Sequence, residues 1–167
     1  LALAQYQLKK NNDAIQSAKK CIETLENFEI KQTSQSNPYL FVTPWKAYEL
    51  AAEIFWALDQ YQDAYKMFLK IIKQKPETEA GWPFLLNSAC AIAIDQKDSQ
   101  HLPILLEKLI IHPDTPLDMF FVQLDQLIQL QRIKEAKDLI LWAKNKSSRL
   151  RKNDHFNSYF EKLDIQR

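Results

Sequence analysis

The chain has 167 residues, 46% of them hydrophobic and 26% charged, with 22 Lys plus Arg against 21 Asp plus Glu and a single glycine, Gly81. Glycine at its usual ~7% would give roughly a dozen, so phosphate loops, dinucleotide fingerprints and nucleophile elbows, which need glycine for sharp turns and close backbone approach, are excluded. A net charge of +1 predicts no strong attraction to nucleic acid or to an acidic membrane.

The chain starts without methionine, in LALAQYQLKK, which reads as mid-helix and lacks the basic-then-apolar order of a signal peptide. We therefore expect an upstream part of the same polypeptide. A helix over 1–9 is followed by one over 12–30, with the stripe Ala14, Ile15, Ala18, Cys21, Ile22, Leu25, Phe28 at helical spacing. The stretch QTSQSNP, 32–38, is the clearest loop. Thr43-Pro44 then reads as N-cap and first residue of a helix over 44–58. A helix over 61–75 carries Ala64, Tyr65, Phe68, Ile71 and Ile72, and ends because Lys75 precedes Pro76. Gly81 caps a helix over 82–95, which leaves Pro83 in its first turn. Further helices are expected over 98–111, ended at His112-Pro113, and over 116–130, opened by Thr115-Pro116 with Asp118 in its first turn. The last two cover 133–147, with Ile133, Ala136, Leu139, Ile140 and Ala143, and 154–163, with Phe156, Tyr159, Phe160 and Leu163. No segment reads as a strand, and no apolar run approaches the ~20 residues of a membrane span. Cys21 and Cys90 sit at apolar helical positions and read as small core residues, which favours a reducing, cytoplasmic compartment.

Self-comparison supplies the organisation. From Trp45 to Thr78 the chain reads Tyr48-x2-Ala51-Ala52-x2-Phe55, then Ala64-x3-Phe68-x2-Ile71, then Pro76. This resembles the tetratricopeptide repeat, a helix pair with the pattern W-x2-L-G-x2-Y, A-x3-F and a closing P. Phe120-x2-Gln123-Leu124-x2-Leu127 followed by Ala136-x3-Ile140 is a fair second match, with Ser148 where proline belongs. Leu102-x3-Leu106 lies 38 residues after Ala64 and 34 before Ala136, an excess of about one helical turn that we place in 82–95. Asp59 and Gln131 occupy the turn sites where the family uses glycine. The resemblance implies an all-α fold in which antiparallel helix hairpins stack as a right-handed solenoid, without cofactor or metal. Its divisions are a partial repeat over 1–30, a loop over 31–43, repeats over 44–78, 79–113 and 114–148, and a basic linker with a capping helix over 149–167.

The same resemblance implies a non-catalytic scaffold that binds a peptide or helix along a groove lined by first helices. The positions are Glu49, Glu53 and Trp56, with Lys46, from the first full repeat; Asn87, with Ala91, from the next; and Phe121, Asp125 and Ile128, with Asp118, from the last. This acidic and aromatic set fits a protein or peptide with basic and apolar residues. It does not fit the subclass that clamps terminal carboxylates, because a ligand carboxylate beside Glu49 and Glu53 is repelled. Charge is also unevenly placed, at +1 over 1–44, −5 over 45–131 and +5 over 132–167. Lys144, Lys146, Arg149, Arg151 and Lys152 form a basic stretch that offers phosphate contacts to RNA or an anionic lipid as the alternative function. Self-association through the open end of the array is a third. For chemistry, Cys90 and His101 are the one pair that a single hairpin can bring together, but burial in SACAIAI would silence the thiol.

Overall fold

A computed structural model describes residues 10–32, 44–77 and 80–165. Among these residues helices are the only regular elements, without a strand, and there are nine: α1 (Asn11–Gln32), α2 (Pro44–Ala57), α3 (Tyr61–Gln74), α4 (Trp82–Asp95), α5 (Leu102–Ile111), α6 (Leu117–Gln129), α7 (Ile133–Lys146), the single turn α8 (Ser148–Arg151) and α9 (Asp154–Lys162). The expected helix over 1–9, the QTSQSNP loop after its first residue and the Thr43 cap lie outside the described residues. The chain divides into two compact units, Leu1–Glu79 and Ala80–Arg167.

In the first unit α1 packs on α2 and α2 on α3. Helix α1 buries Ala14, Ala18, Ile22 and Leu25. Cys21 is exposed, which corrects its reading as a core residue, because it falls at the edge of that stripe. Helices α2 and α3 interlock through Tyr48, Ala51, Ala52 and Phe55 on one side and Ala64, Phe68 and Ile71 on the other, all buried. The sequence spacing therefore describes a real apolar seam. Helix α1 is tied to α3 by Lys19 with Asp63, 2.8 Å, and by Lys70 with Glu26.

In the second unit α4 packs on α5 and α6, α6 on α5 and α7, and α8 on both α7 and α9. Side-chain contacts between successive hairpins recur at similar separations in sequence. Gln123 Nε2 donates to Asn87 Oδ1 at 2.8 Å and Gln126 Nε2 to the Ala91 carbonyl at 3.0 Å. The Phe120 and Phe156 rings lie 6.2 Å apart, and Lys146 pairs with Glu107 at 3.0 Å.

Four helices, α2 in the first unit and α4, α6 and α9 in the second, close by one device. Asp59, Lys97, Gln131 and Asp164 all have φ between 50° and 57°. The next residue in each case donates its N–H back to the carbonyl five positions earlier: Gln60 to Phe55, Asp98 to Ala93, Arg132 to Leu127 and Ile165 to Phe160, at 2.8–2.9 Å. This is the Schellman closure, usually built on glycine. Asp59 and Gln131 are the turn sites anticipated from sequence. Lys97 and Asp164 complete the series, so α4 and α9 end as α2 and α6 do.

Several local expectations change. Thr115 is not the N-cap of α6, because Pro116 takes that place and Thr115 is buried. Helix α5 begins regularly at Leu102 rather than 98, although Leu102 N–H already bonds to the Asp98 carbonyl. The four-residue excess is not an insertion within α4, which has 14 residues against 13 in α6. The connection from Lys75 to Trp82 is longer than that from His112 to Leu117. Gly81, at φ 88°, caps α4 with Pro83 in its first turn, as expected. Where proline is missing after α7, Ser147 accepts from Leu150 N–H and starts α8, which the periodicity does not show.

Candidate interaction surface

On α4, Phe84, Asn87 and Ala91 follow at i, i+3 and i+7 and share one face. On α6, Asp118, Val122, Asp125 and Gln129 form the matching stripe. The Gln123 to Asn87 and Gln126 to Ala91 hydrogen bonds hold α4 and α6 side by side. Phe84 and Val122 stand 63% and 53% exposed on these stripes, a degree of exposure unusual for a phenyl ring beside a satisfied core. Sequence reasoning missed both. Mapping Lys46 and Leu50 forward by the 38- and 34-residue offsets of Ala64, Leu102 and Ala136 would have found them. Gln123 is fully buried, and its Oε1 has no hydrogen-bond partner among the described residues.

The sequence-derived groove residues fall in two separate sets. In the first unit Glu49 is half-buried and accepts from Lys75 Nζ at 2.7 Å. That lysine side chain is only 3% exposed and lies over the Trp45 ring at 5.0 Å, so Glu49 balances a buried cation. Trp56 packs edge-on to Tyr61, centroids 5.3 Å apart, and against Phe68 at 5.9 Å, around the hairpin turn. Glu53 is exposed, as is Lys46.

In the second unit Asn87 and Ile128 are half-buried. Phe121 is buried beneath α9, with the His155 ring 4.6 Å away edge-on and Tyr159 stacked at 5.8 Å. It is therefore not open to a ligand. Asp125 accepts from Tyr159 Oη at 2.9 Å and faces Lys162 Nζ at 3.5 Å. Burial, followed by this bond to Asp125, pushes the Tyr159 phenol well above its ordinary range. The aromatic and basic side chains expected of a partner are thus provided here by the chain's own last helix. Its outward residues, Asp154, His155, Ser158, Glu161 and Lys162, are polar and exposed.

The basic stretch is partly committed to the fold. Lys144 lies over the Phe160 ring at 5.2 Å and Lys146 pairs with Glu107. Arg149 donates to the Pro113 and Thr115 carbonyls at 3.4 and 3.2 Å, tying the α5–α6 connection to α8. Arg151 and Lys152 are exposed.

Cys90 is buried, and desolvation pushes its thiol far above the ordinary value. The His101 ring nitrogen Nδ1 is instead 2.8 Å from Asp98 Oδ2. Among the described residues no three His, Cys, Asp or Glu side chains gather as a metal site, and no helix is long and apolar enough to cross a membrane.

The fold and surface define an all-helical protein with recurring helix hairpins. Comparison with protein-family models, curated proteins and solved structures finds no match to this chain.

Proposed function

We propose that the protein is a divergent tetratricopeptide-like array of stacked hairpins that serves as a non-catalytic scaffold and binds a peptide or helix through its first helices. The observation that carries this reading is the pair of adjacent stripes on α4 and α6, where Phe84 and Val122 offer apolar anchors among half-buried amides. Anchors of this kind dominate binding energy when a partner dehydrates them. The Schellman closures at 59, 97, 131 and 164 support the repeat reading, because a helix pair that recurs with the same turn packs on its neighbours in the same way.

The partner is a polypeptide with an apolar anchor. The exposed Asp118 on the same α6 stripe favours a basic flank, whereas Asp125 is already matched by Lys162.

A random-peptide selection against the whole chain tests this. Enriched peptides should carry an apolar residue with basic neighbours and lose about tenfold or more in affinity when Phe84 is changed to Ser. The circular dichroism melt of that variant should match the parent, since Phe84 is mostly exposed. Absence of enrichment, or unchanged binding to the Phe84→Ser variant, refutes the assignment.

A further inference from the structure

Between α5 and α7 lies a cleft of about 260 Å3 that none of the sequence patterns indicates. Its apolar lining includes Leu102 and Leu106 from α5, Leu139 and Trp142 from α7 and Leu127 from α6. Leu102 stands where Ala64 and Ala136 stand in the other hairpins. It is only half-buried, so its larger side chain lines the cleft instead of filling the hairpin. An apolar void of about 150 Å3 already accepts a benzene-sized ligand. This cleft therefore has room for one large side chain.

The charge at its mouth is negative. Glu135 and Asp138 both border the cleft, one turn of α7 apart. Glu135 is held by Arg132, whose Nε donates to Oε1 at 2.7 Å, and that contact lowers the Glu135 pKa. Asp138 is exposed and forms no ion pair or hydrogen bond with any of the described residues, Lys134 and Lys137 beside it on α7 included. The positive end of α5, which also meets the cleft, is answered by Asp98 Oδ1, an acceptor from Gln100 and His101 N–H at 3.0 Å each. The charge left unmatched is the Asp138 carboxylate, and the half-buried Trp142 adds a ring that attracts cations.

We propose that this cleft anchors an apolar side chain of a partner polypeptide that carries a lysine or arginine beside it. The pocket supplies the dehydration, and Asp138 with Trp142 selects the neighbouring cation. The site lies on the second helices, goes beyond the first-helix surface and does not depend on it.

Three capped dipeptides, Ac-Phe-Lys-NH2, Ac-Phe-Gln-NH2 and Ac-Phe-Glu-NH2, test it by titration into the 15N-labelled whole chain. The readout is the Trp142 indole N–H resonance, assigned with Trp142→Phe. The lysine peptide should move that resonance saturably and bind about three- to fivefold tighter than the glutamate peptide, the range expected of one exposed ion pair. Asp138→Asn should shrink the preference and Asp138→Lys should reverse it. Both are exposed positions, and Phe84→Ser should leave the titration unchanged. No saturable shift up to about 10 mM, or equal affinity for the three peptides, overturns the proposal. So does a loss of self-association in the Asp138→Lys variant by light scattering, which would assign the cleft to a second copy.

Discussion

The α2–α3 hairpin and the α4–α5 hairpin meet the same packing requirement with bulk placed on opposite helices. Four residues before the left-handed turn residue, and five after it, stand Phe55 and Ala64 in the first, but Ala93 and Leu102 in the second. Phe55, Ala64 and Ala93 are buried to 2% or less. The first hairpin thus keeps its large residue on α2 almost wholly buried, although the ring borders a cleft of about 290 Å3 lined also by α1 and α3. In the second, the corresponding position on α4 is the small Ala93, with Ser88, Ala89 and Cys90 also buried, and the large residue on α5 spills partly into the cleft. Total volume is roughly kept and shape is not. The exchange shows the seam to be tolerant of sequence divergence.

Substitutions can break or sharpen that contrast. The largest effects belong to the enclosed seam, where Phe55→Ala and Phe68→Ala should each cost about 3 to 5 kcal/mol by chemical denaturation. Ala64→Leu comes next, at about 1 to 3 kcal/mol of overpacking. The corresponding Leu102→Ala should cost less than about 2 kcal/mol, because it trims a side chain that already faces a void. Equal costs for Ala64→Leu and Leu102→Ala would dissolve the distinction between the hairpins.

The two glutamates of α2 provide a third comparison. Glu49→Ala leaves the Lys75 ammonium buried without its partner and should lower stability by about 1 to 2 kcal/mol. Glu53→Ala should lie within about 0.5 kcal/mol of the parent. Glycine at the left-handed turns acts in the opposite sense. Lys97→Gly and Gln131→Gly should each stabilise by up to about 1 kcal/mol, since relief of the positive-φ penalty outweighs the added unfolded-state entropy.

The smallest effect at neutral pH is titration within the second unit. Cys90 and Tyr159 have folded pKa values raised above their ordinary 9.0 and 10.0. Their contribution is fully present below those values and is lost as pH rises from them towards the raised folded values. Thermal melts should therefore decline above about pH 9, and Tyr159→Phe should remove the phenol's share of that decline. A melt temperature flat to pH 11 would contradict the burial of both groups.

Much of the fold was legible because helices advertise themselves locally. The period of three and four placed eight described helices, seven of them within two residues at each end. Proline after Lys75 and His112 marked two stops, and Asp59 and Gln131 were identifiable as turn residues although neither is glycine. The one-turn helix α8 escaped because it rests on a single side-chain cap, Ser147, with no periodic stripe behind it. The surface was less legible. Phe121 and Asp125 have the right spacing for a groove, but α9, 34 to 38 residues further along, covers the first and bonds the second. Lys75 was legible only as the residue before Pro76 that ends α3, and in the fold it is the buried partner of Glu49.

By itself, the sequence determined that this protein is built of helices, where the longer ones start and stop to within about a turn, and which face of each is apolar. Those properties follow from backbone dihedrals, caps and a 3.6-residue period, all of which act over a few residues. Only the tertiary structure decided which apolar and charged faces are covered and which stay open. That choice depends on elements 26 to 39 residues apart that meet through side-chain volume and charge, as Lys75 meets Glu49 and Lys146 meets Glu107. Local periodicity carries no information about the partner that fills a face, and so Phe84, Val122 and the cleft beside Trp142 emerged only once the helices were packed.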